Sequence, residues 1–389
     1  MDDYIYLDNA ATTKIKKKVL DSMVHHLESN FGNPSSLYSF GQESRNSIEE
    51  SREKIAKIIN CRPNEIIFTS GGTESDNLAI FGSANAMKEF GNHIITSSIE
   101  HHAVLHACEE LEKEGFKVDY LPVDKFGLVS PKDLKNAIKP TTILVSIMMA
   151  NNEIGTIQDM NNLIKVVREK QNSNNNIILF HSDAVQSLGK MEINVKNMDI
   201  DLLSFSAHKI NGPKGIGGLF IKRGSPMKPM IFGGGQEKQL RSGTENVASI
   251  VGFAEALLLA DSERGYFNEK CSKLRDQFTN RILKLIPGSF LNGHPTDRLS
   301  NIVNISFDGV EGEPILVGLD FAGIYASSGS ACSSGSLDPS HVLIATGLNP
   351  RLAVGSIRFS FSPSNSEEEI DYVVKELSKI VKNLREMAT

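Results

Sequence analysis

The stretch Leu202-Leu203-Ser204-Phe205-Ser206-Ala207-His208-Lys209 begins as an apolar run typical of a buried strand and ends on a polar tip. The glycine-rich residues 212–218 follow at once and favour neither a strand nor a helix. A lysine ammonium at the end of a buried strand costs free energy unless it has a partner or a chemical role. Lys209 is therefore either a surface lysine at a strand terminus or an amine with a function at a sheet edge.

Around this stretch the chain alternates between strand-like and helical patterns. Short apolar runs predict strands at residues 66–69, 93–97, 118–122, 142–149, 177–181, 202–206 and 218–222. Helical periodicity between several of them predicts helices at residues 74–90, 103–114, 131–137 and 160–170. This alternation predicts an α/β fold class with a mostly parallel sheet. The polar residues 172–176 predict an exposed loop, and residues 247–286 predict a long helix between two domains.

The composition limits the functions that the chain can have. It has 389 residues, 40% of them hydrophobic, which is ordinary for a globular protein with a large core. The formal net charge of −6 without basic blocks argues against direct nucleic-acid binding, and no apolar run is long enough for a membrane span. The cysteines Cys61, Cys108, Cys271 and Cys332 lack metal-binding spacing, which predicts free thiols in the cytoplasm and no metal site.

Ligands of a parallel sheet lie at the carboxyl ends of its strands, so the residues after each strand are the candidates for chemistry. Gly71, Gly72 and Thr73 follow the strand at 66–69 and precede a helix, an arrangement that suits a single phosphate. The alternative is an ordinary helix start capped by Thr73. His101 follows the strand at 93–97 and suits stacking on a flat ring, although a solvated histidine at a helix start is the commoner case.

Three further tips carry polar side chains. Asn152 follows the strand at 142–149, and the alternative to a cofactor contact there is a plain turn asparagine. Asp183 follows an apolar strand and needs a cationic partner, for which a protonated pyridine nitrogen is one candidate and a turn-capping role the alternative. Gln186 is close enough in sequence to reach the same ring. With Lys209 as the amine of a Schiff base, these tips are consistent with a pyridoxal phosphate site, and Ser206 and His208 supply further phosphate donors.

A series of motifs in the same order then identifies a family. They are YLDNAATT, FGNPSS, SGGTESDN, EHHAV, NNEIG, FHSDAVQ, SAHK followed by PKG, GGGQE, RSGTENV, SSGSAC and GSIRFS. The chain resembles the cysteine desulfurases of the NifS/IscS type, within the class V aminotransferase superfamily. The resemblance covers nearly the whole chain.

The resemblance implies a fold and a cofactor. The expected fold is the type I fold of pyridoxal-phosphate-dependent transferases, an α/β architecture with a large domain and a small α/β domain. We expect residues 14–260 to form the large cofactor-binding domain, and residues 1–13 and 261–389 to form the small domain. The family is homodimeric, with sites at the subunit interface.

The resemblance also assigns roles to residues. Lys209 is the Schiff-base lysine, Asp183 pairs with the pyridine nitrogen, and His101 stacks on the ring. Gln186 and Asn152 contact the ring oxygen. The remaining cofactor contacts, mostly to the phosphate, are expected from Gly72, Thr73, Ser206, His208 and, from the neighbouring subunit, Thr244. Arg358 is expected to bind the substrate carboxylate by a bidentate contact, and Asn33 is a second substrate-binding candidate.

Cys332 lies in a run of small residues, 326–336, where a thiol has room to move. In the family such a thiol takes sulfur from L-cysteine as a persulfide, with Lys209 and His101 as proton carriers, and L-alanine is released. The sulfur then passes to a protein acceptor, either an iron–sulfur scaffold or a tRNA-thiolation protein. The competing hypotheses are a selenocysteine lyase or other class V enzyme, an ordinary aminotransferase, and a silent scaffold.

The chain departs from the family pattern at a few positions, none of which carries a chemical group of the reaction. Lys14 stands where proline is usual, and Asn211 where an aromatic residue or histidine is common. Residues 238–240 replace a turn richer in glycine and arginine. These differences leave the choice of sulfur acceptor open.

Overall fold

The computed structural model describes residues 4–174, 176–328 and 339–388. The strands are β1 (Ile5–Tyr6), β2 (Ile66–Thr69), β3 (His93–Ser97), β4 (Lys117–Leu121), β5 (Thr142–Ser146), β6 (Leu179–Asp183), β7 (Leu202–Ser206), β8 (Gly217–Ile221), β9 (Ser289–Asn292), β10 (Ile302–Phe307), β11 (Ile324–Tyr325), β12 (Ser327–Ser328) and β13 (Ser356–Ser360). The helices are α1 (Lys17–Glu28), α2 (Ser39–Ile59), α3 (Gly72–Met87), α4 (His102–Lys113), α5 (Pro131–Ala137), α6 (Met160–Asn174), α7 (Val195–Met198), α8 (Val247–Leu285), α9 (Gly312–Phe321), α10 (His341–Ala345), α11 (Pro350–Val354) and α12 (Glu367–Ala388).

The larger sheet has seven strands in the order β2-β8-β7-β6-β5-β3-β4. The pairs among β3, β4, β5, β6 and β7 are parallel, and β8 runs antiparallel to both of its neighbours. Because β2 and β7 each pair antiparallel with β8, β2 points the same way as the parallel strands. The carboxyl ends of β2, β3, β5, β6 and β7 therefore meet at one edge of the sheet.

Both faces of this sheet are buried, as apolar runs without polar alternation predict. Phe180 and Leu203 point into one hydrophobic cluster, whereas their sequence neighbours Leu179 and Leu202 point into another on the opposite face. This alternation fixes which side chains reach the sheet edge and which fill the core.

A second core lies around an antiparallel sheet with the strand order β12-β13-β10-β9. The 39-residue helix α8 joins the two cores, since Phe253 near its start packs in the first and Phe278 near its end packs in the second. The N-terminal strand β1 pairs in parallel with β11, so the start of the chain crosses to the second core. The domain limits given above stay a prediction.

The α/β class and the mostly parallel sheet are confirmed, and several element bounds differ from the predictions. β5 ends at Ser146 rather than at residue 149, and β6 includes Asp183 rather than ending before it. The loop predicted at residues 172–176 is wrong at its start, because α6 continues to Asn174. Among the described residues, no helix is long and apolar enough to cross a lipid bilayer.

Candidate active site

The carboxyl ends of the parallel strands surround a cavity of about 370 Å³. Most of the predicted site residues line it: Gly72, Thr73, His101, Asn152, Asp183, Gln186, Ser206, His208, Lys209 and Arg358. These residues come from six separate segments of the chain. The sheet thus brings together the side chains that the strand tips predicted.

Three predicted residues are not among the cavity lining. Asn33 is exposed in the loop before α2, where its side-chain oxygen accepts a hydrogen bond from the Ser35 amide at 2.9 Å. Thr244 is exposed as well, and its predicted contact was to a neighbouring subunit, so this single chain does not test it. Cys332 lies outside the described residues.

Lys209 reaches the cavity from a 3-10 turn, Ala207–Lys209, that directly follows β7. Its Nζ donates hydrogen bonds to the carbonyl oxygens of Ala10 and Ala11 at 2.7 and 2.6 Å. These two carbonyls belong to the N-terminal segment that crosses the sheet edge. They hold the amine at the cavity wall in a defined position.

Two buried carboxylates stand at the same edge. Asp183 accepts a hydrogen bond from the Val185 amide at 2.8 Å, and burial raises the pKa of its carboxyl to about 6. Asp76, on α3, also lines the cavity, and burial followed by the charge of Asp183 raises its pKa as well. Asp76 Oδ1 has no hydrogen-bond partner among the described residues. Asp183 and Asp76 are both buried, so it is unfavourable for both to carry a negative charge. A cation or a hydrogen-bond donor beside them is favourable.

His101 is fixed by its own helix. It is the N-cap of α4, and its Nδ1 accepts a hydrogen bond from the Ala103 amide at 3.1 Å. That bond assigns the proton of the neutral ring to Nε2. Burial, and then the charge of Lys209, lower the pKa of His101 to about 4, so the imidazole is neutral near pH 7.

An anion cradle lies at the start of α3. The N-cap of this helix is Gly71, and no side chain caps its first turn, so the alternative in which Thr73 caps the helix is wrong. Gly72 packs closely against the segment that follows β6, because a Cβ placed on Gly72 would lie 2.7 Å from Cγ2 of Val185. Ser206 and His208 line the same part of the cavity. Uncapped helix amides beside hydroxyl and imidazole groups suit a phosphate.

Arg358 lies on β13 and contributes a cation to the wall of the same cavity. Its Nη2 donates to Asp8 Oδ1 at 2.9 Å and its Nη1 to the Asn152 carbonyl at 3.1 Å, and its side chain is almost fully buried. Its Nε has no hydrogen-bond partner among the described residues. A buried guanidinium held in this way presents a fixed site for a carboxylate.

Asp8, Asp76 and Lys190 were missed as parts of the site. Asp8 belongs to the N-terminal motif YLDNAATT. Asp76 follows Thr73 by about one helical turn, so its position on α3 was the available signal. Lys190 had no local signal. Its Nζ donates to Gln186 Oε1 at 3.2 Å, while Gln186 Nε2 donates to the Ala10 carbonyl at 3.0 Å.

Comparisons with known proteins identify the family of the chain. Residues 5–373 match the family described as aminotransferase class-V. The chain is 51% identical over 384 residues to a Methanosarcina thermophila protein named cysteine desulfurase IscS, covering 99% of this chain and 93% of that protein. It is 52% identical over 391 residues to a Clostridium botulinum (strain Hall) protein of the same name, covering 100% of this chain and 97% of that protein.

A solved structure described as a NifS-like protein superposes with a TM-score of 0.92 at 39% identity, covering 98% of this chain and 100% of that one. This likeness confirms the predicted type I fold. The chain therefore belongs to the class V aminotransferase family, and within it to the IscS and NifS-like proteins.

Proposed function

We propose that this protein is a cysteine desulfurase that uses pyridoxal phosphate to convert L-cysteine to L-alanine and leaves the sulfur on Cys332. One observation carries the proposal. An amine, an acid, a neutral imidazole and a guanidinium, from Lys209, Asp183, His101 and Arg358, line a single cavity at the sheet edge. Relatives at about half identity over the full chain bear the name of this activity.

The residues present fit the cofactor. Gly72, Thr73, Ser206 and His208 would hold its phosphate at the uncapped start of α3, with Thr244 of a second subunit completing that site in a homodimer. Asp183 would pair with the protonated ring nitrogen, which would place a cation directly beside this buried acid. When bound, pyridoxal phosphate withdraws electrons from the α-carbon of an amino acid.

The polar residues around the ring have separate tasks. Gln186 and Asn152 lie on the cavity wall and would orient the cofactor through its ring oxygen. His101 would cover one face of the ring as a neutral imidazole and assist proton transfer. Burial and the charge of Asp183 raise the pKa of Asp76, and a protonated Asp76 avoids a second negative charge beside Asp183.

Lys209 moves the proton. Its Nζ would hold the cofactor and, as a free amine, would take the proton from the substrate's α-carbon. The Ala10 and Ala11 carbonyls hold this amine within reach of the cavity. Arg358 would bind the substrate carboxylate and so fix which bond of the α-carbon faces the amine.

Sulfur transfer uses Cys332. Its thiolate forms an S–S bond with the sulfur of L-cysteine, and the C–S bond breaks with its electron pair remaining on carbon. Protonation of that carbon gives L-alanine, and Cys332 holds a persulfide. We propose that a cytoplasmic protein, either an iron–sulfur scaffold or a tRNA-thiolation protein, accepts this sulfur.

The test is to incubate the purified protein with L-cysteine and measure free alanine together with the mass of the peptide that contains Cys332. We expect alanine formation and a mass increase of one sulfur on that peptide. Alanine without the persulfide would contradict the role of Cys332. A clear preference for L-selenocysteine, measured side by side, would favour a selenocysteine lyase instead.

A further inference from the structure

A second cavity adjoins the site described above, and Lys209 lines both of them. Its volume is about 430 Å³, and it lies between the start of the chain, the turn after β6, the middle of α8 and the end of β13. Lys190 and Asn301 form part of its wall and are both deeply buried, with exposed fractions of 5% and 1%. The proposed reaction has no use for this space.

Among the described residues, the buried polar groups of Asn301 and Lys190 on this wall lack hydrogen-bond or charge partners. Neither the oxygen nor the nitrogen of the Asn301 carboxamide has a hydrogen-bond partner among the described residues. A buried amide without partners has lost its hydrogen bonds to water and gained none in the protein, which destabilises the fold. Lys190 donates to the neutral amide of Gln186, and the charges that act on it include the cations Lys209 and Arg358 but no carboxylate of the described chain. Burial, followed by the charge of Lys209, lowers the pKa of Lys190 to about 7, and an anion beside Nζ would favour the charged ammonium.

The other lining residues indicate which polarity and charge a ligand of this cavity should have. Ile210 and Phe361 are buried apolar residues, and Phe267 is half-buried beside them. Glu263 is the acidic residue of the lining, and it is already paired with Lys16. The cavity therefore combines an apolar body with an excess of positive charge.

We propose that this cavity binds a small organic carboxylate that carries its own hydrogen-bond donor and a short apolar chain. The carboxylate accepts from Lys190 Nζ and Asn301 Nδ2, and a hydroxyl or amino group of the ligand donates to Asn301 Oδ1. The apolar chain lies against Phe267 and Phe361. An α-hydroxy or α-amino acid satisfies all of these groups at once. The site does not depend on the proposed desulfurase activity.

The probe is L-2-hydroxy-4-methylpentanoate, titrated calorimetrically into the protein as purified. A hydroxy acid is chosen because it lacks the primary amine with which a substrate attacks the cofactor. We expect saturable binding with one site per chain. The matched acid without the hydroxyl, 4-methylpentanoate, should bind about five- to tenfold more weakly, because it leaves Asn301 Oδ1 unpaired. Absence of saturable binding of the hydroxy acid overturns the proposal.

Variants locate the site. Lys190→Met should weaken binding at least about tenfold. Ser364→Trp, at an exposed position of the lining, should have the same effect, because the indole fills the cavity and leaves the buried Lys190 and Asn301 unchanged. Ser364→Ala is the control and should bind as the wild type does. If Lys190→Met fails to fold, Ser364→Trp decides the question. Arg358→Lys should leave binding unchanged, and loss of binding in that variant would place the probe in the first cavity and overturn the proposal.

Discussion

The guanidinium of Arg358 forms a partly buried ion pair with Asp8, with 2.9 Å between Nη2 and Oδ1. The two residues are separated by 350 positions in the chain and by a single hydrogen bond in space. Since Ser360 of the same strand β13 also pairs with the N-terminal segment, the first residues of the protein fix the wall on which Arg358 stands. The proposed substrate site is thus assembled from both ends of the sequence.

Arg358→Lys should raise the KM for L-cysteine at least about tenfold and lower kcat less. A lysine carries the charge but cannot make the bidentate contact to a carboxylate. Initial rates of alanine formation over a range of L-cysteine concentrations measure the effect. Arg351→Lys, an exposed position on α11, is the matched control. An unchanged KM in Arg358→Lys would exclude its role in substrate binding.

Lys209→Ala should remove turnover and the visible absorption of the covalently attached cofactor. The alanine variant has no amine at the sheet edge with which to form the Schiff base. The exposed Lys214→Ala, five residues further along, should retain the absorption band. Alanine production by the Lys209→Ala protein would end the assignment of Lys209 as the reactive amine.

Gly72→Ala should weaken binding of pyridoxal phosphate by about tenfold or more. The added Cβ would lie 2.7 Å from Val185, so the start of α3 or the tip after β6 must shift. Fluorescence titration of the cofactor-free protein with pyridoxal phosphate gives the affinity. Gly265→Ala on α8 is the control, because its Cβ meets no atom within 4 Å. Equal affinities of the two variants would argue against a phosphate at this helix start.

Glu100→Gln should stabilise the protein, and the gain should increase with pH. Burial raises the pKa of Glu100 from its ordinary value of 4.5 to about 8, so the folded state favours the protonated acid. Its contribution to stability is fully present below pH 4.5 and is lost as the pH rises through 8, with a limiting slope of about 1.4 kcal/mol per pH unit. The amide of glutamine does not titrate.

Chemical denaturation of wild type and variant at pH 5 and pH 8 measures this difference. The carboxamide that Glu100→Gln introduces keeps an oxygen that accepts from Ser97 and from the Met148 amide, as Glu100 Oε1 does now. Glu109→Gln, on the exposed face of α4, is the control. A gain that stays constant between the two pH values would show that Glu100 is ionised in the folded protein.

Cys332→Ser should bind the cofactor and L-cysteine but form no persulfide and release no alanine. Serine lacks the sulfur nucleophile that the proposed transfer needs. Cys61→Ser, Cys108→Ser and Cys271→Ser should remain active, because burial raises the pKa of each of these thiols to about 12 and keeps them protonated. Alanine release at the wild-type rate by Cys332→Ser would assign the sulfur acceptor to another residue.

Much of the fold and of the candidate site was predictable because its signals are local. The apolar run of β7 and the polar tip that ends on Lys209 are contiguous in sequence, and the same holds for β2 with Gly72 and for β3 with His101. A parallel sheet then converts a set of separate tips into one cluster, because its strands share a direction. The predicted residues at these tips line the cavity for that reason.

The contacts that join distant segments could not be predicted in this way. Lys209 is held by Ala10 and Ala11, and Arg358 by Asp8, across separations of about 200 and 350 residues. No periodicity or turn signal records which loop will cross which sheet edge, since packing of the whole chain decides it. The extension of α6 into an asparagine-rich run was missed for a related reason, because packing overrides weak local helix propensity.

The sequence by itself determined the order of strands and helices, the parallel sheet and the chemical groups at its edge. Hydrophobic periodicity and glycine positions act over a few residues, so they can be read without coordinates. Only the tertiary structure decided that Asp76 stands beside Asp183 at the same cavity and that Lys190 and Asn301 lie together on the wall of a second one. These groups are placed by the burial of side chains far apart in sequence, and burial is a property of the folded chain alone.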